Sequence, residues 1–236
     1  MSKTFVLVHG AWHGGWCWRR VADLLEAKGH KVFAPTLTGL GERSHLMRAG
    51  INVSTHVTDI VNVLKWERLT DVVLCGHSYG GFVISGVAEQ AADRIGSIVF
   101  LDAFVPLNGE SMASITSQAV RDSLKAASDR GEISVPPRPA KAFLVNDADQ
   151  DWVDSLTGPQ PIETMTEQVR IAGARDRIAK KSYIRAGAYP NPGFDAALAR
   201  LKTKTDKAWR TYDVPCGHDV MVDMPERLAE ILLEVS

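Results

Sequence analysis

The chain has few of the residues that build disulfide or metal scaffolds. Three cysteines in 236 residues, Cys17, Cys75 and Cys216, are too few and too scattered for a disulfide framework or a Cys-x-x-Cys metal site. No metal and no organic cofactor is expected. A formal net charge of −1 removes the electrostatic case for nucleic acid or an anionic membrane as partner. No stretch approaches the ~18 apolar residues of a membrane span. The first apolar run, Phe5-Val6-Leu7-Val8, is too short for a secretory signal, so a cytoplasmic location is expected. Internal repeats, low-complexity tracts and linkers are also absent. What remains is ordinary for a globular protein, 45% hydrophobic and 23% charged residues, enough for one domain with one substantial core.

Within that core one stretch stands out, Leu74-Cys75-Gly76-His77-Ser78-Tyr79-Gly80-Gly81-Phe82. Asp71 to Leu74 reads as a buried strand, and Phe82 to Ala92 carries apolar residues at helical spacing. The G-x-S-x-G pattern between them is that of a nucleophile elbow. A strand that becomes a helix within one residue strains the backbone at Ser78 and brings its neighbours two positions away together, so glycine is needed on both sides. The plain alternative is a glycine-bounded turn whose serine caps the helix.

Strands are expected at Phe5–His9, Lys31–Ala34, Asp71–Leu74, Ser97–Asp102, Ser182–Arg185 and Ala208–Tyr212. Helices alternate with them: Trp18 to Leu25, a helix through Leu64 capped by Ser54 or Thr55, Phe82–Ala92, Phe194–Leu201 and Pro225–Val235. This alternation predicts an α/β fold with a mostly parallel sheet of about six strands, covered on both faces. Residues 107–180 break the pattern. They contain Pro136-Pro137-Arg138-Pro139, two helical candidates near Met112–Ser128 and Ile162–Lys180, and one candidate strand, Ala142–Val145. The segment reads as a helical cap inserted into a core of residues 1–106 and 181–236.

A serine hydroxyl needs a base, and among seven histidines His218 lies in a loop after the last expected strand, at the edge where open α/β sheets bind ligands. The triad also needs a carboxylate to orient that imidazole. Asp102 closes the apolar run Ile98-Val99-Phe100-Leu101, where a charge is costly to desolvate without a partner; it is the expected acid, with Asp195 as the alternative. An oxyanion hole requires two convergent amides. Tyr79, after the nucleophile, supplies one, and Ala11 in the loop after the first strand is favoured for the other. Trp12, His13 and Trp16 in that loop are candidates to line the substrate pocket, with core packing as the equal alternative. Gly39-Leu40-Gly41 lacks the spacing of a nucleotide loop.

The run from Phe5 to Trp18, with His9-Gly10-Ala11-Trp12-His13-Gly14-Gly15-Trp16 at its centre, resembles the α/β-hydrolase superfamily, as do the Gly76–Gly81 elbow and the Gly217-His218 loop. Within it they look like the plant methylesterase and hydroxynitrile lyase family and its bacterial esterase relatives. The resemblance spans essentially the whole chain. It implies a sheet of the eight-strand type starting at its third strand, hydrolysis of a small carboxylic ester or carbamate through a serine acyl-enzyme, and compatibility with a homodimer. Carried over by position, the roles fall on Ser78, His218, Ala11 and Tyr79. The plant members place their acid where this chain has Ala188-Tyr189, whereas certain haloalkane dehalogenases place it where Asp102 stands. Hydroxynitrile lyases of the family carry threonine at the position of Gly10 and lysine at that of Asp219, which weakens a lyase reading. A lyase or cofactor-free oxygenase, or a ligand-binding protein with little turnover, is the second expectation.

Overall fold

The structure is a computed structural model in which residues 2–203 and 209–236 are described. In the first half, strands and helices alternate as β1 (Thr4–Val8), α1 (Arg19–Glu26), β2 (Lys31–Phe33), α2 (Val53–Trp66), β3 (Val72–His77), α3 (Gly80–Ala91) and β4 (Ile95–Leu101). A long excursion follows, with α4 (Gln118–Asp129), β5 (Ser134–Val135), α5 (Gln150–Leu156), β6 (Gln160–Pro161) and α6 (Glu163–Thr166). The chain then completes the core with β7 (Lys180–Ala186), α7 (Pro192–Thr203), β8 (Trp209–Val214), α8 (Val220–Asp223) and α9 (Pro225–Glu234). Ala208, the expected start of the last strand, lies outside the described residues.

Six strands form one sheet in the order β2-β1-β3-β4-β7-β8, every pair parallel. Parallel sheets are covered on both faces, so their inner strands carry continuous apolar runs. Phe5 to Val8, Val72 to Leu74 and Ile98 to Leu101 are accordingly buried on both sides. The chain winds outward from β1 to β2, then returns to place β3 on the other side of β1. The C-terminal ends of β1 and β3 thus flank the switch point, where the departing loops diverge and leave a crevice. The loop 9–14 and the turn at residues 76–80 both emerge there.

α2 is capped one turn earlier than expected. Asn52 Oδ1 accepts from Thr55 N at 3.0 Å and Thr55 Oγ1 reaches back to Asn52 N, so Thr55 is the return arm of a capping box whose cap is Asn52.

The excursion departs most from expectation. Ala142–Val145 is no strand: Ala140–Phe143 is a 3-10 turn and Leu144 takes φ +57°. The reason is tertiary, because the Phe143 carbonyl must turn to accept the His218 amide at 2.8 Å. The helix expected over Ile162–Lys180 stops at Thr166. Glu167 is extended and its carboxylate holds Ser54 N and Oγ, both at 2.7 Å. Beyond it, Val169 exchanges backbone bonds with Gly109 and Glu110. These distant partners outweigh a local helix propensity worth on the order of tenths of a kcal/mol per residue. The segment is tied to the core by the Arg20–Asp149 ion pair at 2.6 Å and by Asn146 to Asp223. It also grips the loop after β1, where Trp12 N donates to Gln160 Oε1 and Gly158 N to Trp12 O, both at 2.9 Å.

Candidate active site

The turn between β3 and α3 places Ser78 at φ +53°, a left-handed conformation that costs a non-glycine residue about 1–3 kcal/mol. A Cβ at Gly76 would lie 2.7 Å from the Gly80 carbonyl oxygen and 2.9 Å from Ile84 Cγ2, so the elbow closes only with glycine there. Ser78 is half-buried while His77 and Tyr79 on either side are buried, so the bend presents the hydroxyl and hides its neighbours. Relief of that strain carries a prediction. Ser78→Gly should raise the unfolding free energy by about 1 kcal/mol in a denaturant titration while removing the hydroxyl; an unchanged or lower midpoint would show that the bend stores no strain.

His218 lies in the loop between β8 and α8 and is buried against the elbow. Its carbonyl accepts from His77 Nε2 at 3.0 Å, and the two rings are 4.4 Å apart. Tyr189 stacks on the imidazole at 4.6 Å, with Phe143 and Phe194 at 5.4 and 5.5 Å. His218 Nδ1 donates to Asp102 Oδ2 at 2.6 Å. Ser78 Oγ and His218 Nε2 carry no hydrogen bond among the described residues, and such contacts in free hydrolases commonly tighten only with substrate.

Asp102 follows the last residue of β4, at φ +40° and fully buried. Its second oxygen accepts from Arg185 Nη1 at 2.6 Å and from Ala186 N at 3.1 Å. Every face of the carboxylate is therefore met by a donor, which is the condition for burying a charge. Asp195, the alternative acid, is at the other end of the same arginine. It accepts from Arg185 Nε at 2.9 Å, its side chain is 61% exposed, and it does not reach His218. Arg185 had no role in the sequence reading. The signal available was a guanidinium inside the apolar strand Tyr183-Ile184-Arg185-Ala186, which requires an acid nearby.

The loop after β1 passes close to the elbow. A Cβ at Gly10 would stand 2.9 Å from His77 Nδ1 and 3.0 Å from Ser78 Cβ. The Ala11 and Tyr79 amides donate to no acceptor among the described residues, whereas the Trp12 amide is taken by Gln160. Trp12 is half-buried at φ +66°, its ring 6.0 Å from that of Phe143. His13, for which pocket and core were equal readings, is 1% exposed, with Nδ1 on the Ala11 carbonyl at 2.8 Å and Nε2 on Asp219 Oδ2 at 3.0 Å. Its place is beneath the loop, because a fully buried Asp219 needs a cation or donor there. A groove of about 580 Å³ is lined by Phe104, Thr116, Arg138, Leu144, Tyr189 and Asn191. Neither Ser78 nor His218 is in its lining, and Tyr189, which stacks on His218, connects the two.

His77, His218 and Asp219 bring possible metal-ligating atoms within 4.8 Å of one another. One atom of each is engaged, His77 Nε2 with the His218 carbonyl, His218 Nδ1 with Asp102 and Asp219 Oδ2 with His13. His77 Nδ1 and Asp219 Oδ1 are buried without a hydrogen-bond partner among the described residues. Burial and the adjacent His218 hold the His77 pKa well below the ordinary histidine value. Burial works against the Asp219 carboxylate, yet His13, His77 and His218 outweigh it and keep its pKa below the usual range. The cluster is a hydrogen-bonded network in which one anion is compensated. No helix among the described residues is long and apolar enough to cross a membrane.

Known proteins show which family the chain belongs to. A family model described as "Alpha/beta hydrolase family" matches residues 5–231. The "Carbendazim hydrolyzing esterase" of Nocardioides sp. (strain SG-4G) is 41% identical, over 97% of this chain and 98% of that protein. "Methylesterase 1" of Arabidopsis thaliana is 40% identical over 116 residues, 44% of this chain and 41% of that protein. Among solved structures, an extracellular α/β-hydrolase from a Paenibacillus species, described as sharing structural and functional homology with tobacco salicylic acid binding protein 2, superposes with a TM-score of 0.84 at 25% identity. That match covers 99% of both chains. The chain belongs to the α/β-hydrolase family, resembles the plant methylesterases, and is a carboxylesterase-type hydrolase.

Proposed function

We propose that the enzyme cleaves a methyl or other short-alkyl carboxylic ester, or a carbamate, through an acyl-enzyme on Ser78. The observation that carries this reading is the 2.6 Å bond from His218 Nδ1 to Asp102, which fixes the imidazole tautomer and leaves Nε2 as the basic nitrogen beside the elbow. Ser78 Oγ attacks the carbonyl carbon as Nε2 takes its proton. The Ala11 and Tyr79 amides receive the negative charge that develops on the carbonyl oxygen. Collapse of the tetrahedral intermediate breaks the bond to the alkoxy oxygen, which leaves with the proton from Nε2. Water then attacks the acyl carbon with the same base, and Ser78 recovers its proton. Asp102 stays ionised throughout and stabilises the imidazolium.

The groove of about 580 Å³ is of the size that holds a small ligand, and its neighbours Phe104 and Tyr189 adjoin Ser78 and His218. The test is turnover of p-nitrophenyl acetate, a methyl ester and an aryl methylcarbamate, with a cyanohydrin assayed in parallel. Ester or carbamate hydrolysis without cyanohydrin cleavage supports the reading; cyanohydrin cleavage without either hydrolysis overturns it. The same contacts predict that Gly10→Thr with Asp219→Lys will not create a lyase. The threonine Cβ would meet His77 and Ser78 at 2.9 and 3.0 Å, and the lysine would place a cation against His13. Purified variant should lose ester turnover and gain no cyanide release, and cyanide release above background would refute that expectation.

A further inference from the structure

A buried histidine declares its charge by what its two nitrogens face, because carbonyl and carboxylate oxygens only accept and backbone N–H groups only donate. His9 Nδ1 donates to the Gly10 carbonyl at 2.8 Å and Nε2 accepts from Leu37 N at 3.0 Å. One donor and one acceptor make a neutral ring, and burial accordingly pulls its pKa down to about 3. His56 donates to the Thr38 carbonyl and faces the Tyr79 hydroxyl, which can donate in return; burial takes it down to about 4. His13 is different. Nδ1 is 2.8 Å from the Ala11 carbonyl and Nε2 is 3.0 Å from Asp219 Oδ2. Both partners only accept, so both bonds form only when the ring carries two protons.

We propose that His13 is a buried imidazolium paired with the Asp219 carboxylate, and that this pair is a positioning device holding the two halves of the active site in register. The inference rests on the esterase reading above for its functional part. One end of the pair grips the carbonyl of Ala11, whose amide donates to no acceptor among the described residues. The other end is the residue directly after His218. The contact joins positions 206 apart in sequence and clamps the oxyanion loop to the loop of the base. Trp16 stacks on the imidazole at 5.3 Å, which fixes the ring plane. Neither His13 nor Asp219 is assigned a reaction step, and both are buried beneath the loops that carry the reacting groups.

The charged and titratable groups around the pair are His9 from the end of β1 and His77 from β3, which face His13, and His218 from the base loop and Cys17 from the turn after the loop, which face Asp219. Asp219 is the anion of the pair. Burial opposes protonation of His13, but the Asp219 charge and the two hydrogen bonds outweigh it and raise its pKa above the ordinary histidine value. A raised folded pKa means the pair is intact at lower pH and is lost as pH rises through that pKa. Deprotonation then removes one of the two bonds and leaves Asp219 as an uncompensated buried charge.

The expected result is an alkaline fall in kcat, with KM little changed. His13→Gln, which cannot donate to both oxygens, should lower kcat at all pH values by about 10- to 100-fold, as a small misplacement of site groups does, and should lack the alkaline fall. Asp219→Asn should move the fall to lower pH. The protonation state is read independently of activity from ¹⁵N spectra of the wild-type protein labelled at histidine. Both His13 nitrogens protonated at pH 7–8 is the predicted result. A neutral His13 ring at that pH, or a His13→Gln protein with the wild-type kcat and pH profile, overturns the proposal. A charged His13 in a protein whose Ser78 resists phosphonate labelling would leave the ion pair standing and remove the esterase reading instead.

Discussion

Replacing Ser78 with alanine should cut ester hydrolysis by on the order of 10⁶-fold, as loss of a serine nucleophile does where the remaining groups act as a unit. The residual rate would come from the Ala11 and Tyr79 amides and from substrate binding. The fold should survive, because the hydroxyl carries no hydrogen bond among the described residues and alanine can occupy the same backbone conformation at similar cost. Circular dichroism and a thermal scan distinguish this from unfolding. A residual rate within 10-fold of wild type, on the order of 1 kcal/mol of barrier, would remove Ser78 from the mechanism.

The second large effect separates the two candidate acids. Asp102→Asn should lower kcat by about 10⁴-fold, because an amide cannot hold the imidazole in the tautomer that leaves Nε2 basic. Asp195→Asn should change it by less than about 3-fold, on the order of half a kcal/mol. The Asp195 side chain is itself 61% exposed and does not reach His218, and Arg185 stays held by Asp102 and two backbone carbonyls. Asp102→Ala goes further. It removes an acceptor of Arg185 Nη1, the Ala186 amide and His218 Nδ1 at once. The guanidinium is left with the exposed Asp195 and two backbone carbonyls, and breaking such a buried pair costs about 3–5 kcal/mol. Kinetics on the asparagine pair and denaturant melts on the alanine variant read the two consequences separately. A larger loss in Asp195→Asn than in Asp102→Asn would reverse the assignment.

The two kinds of feature that were legible in the sequence share a physical origin. The elbow could be read because its constraint is local: the bend at Ser78 and the crowding at Gly76 involve residues within a few positions. The sheet could be read because buried parallel strands need unbroken apolar runs. Asp102 stood out since a carboxylate ending such a run demands compensation, but the demand did not reveal its partners. Arg185, 83 positions away, supplies one, and the same arginine draws Asp195 away from His218. For His13 the sequence left pocket and core equally open, because only the tertiary fold brings Asp219, 206 positions away, beneath it. The excursion between β4 and β7 was least legible. Its turns at Leu144 and Glu167 serve the His218 loop and the N-terminus of α2, and no local pattern encodes such distant partners.

The central claim is that Ser78 is a nucleophile activated by His218. Incubation with a p-nitrophenyl phosphonate, followed by digestion and mass spectrometry, tests it most directly. The account predicts one adduct per chain, located on Ser78, forming at a rate that collapses in His218→Gln. An unmodified Ser78 in active enzyme, or an adduct carried by another serine, would contradict it.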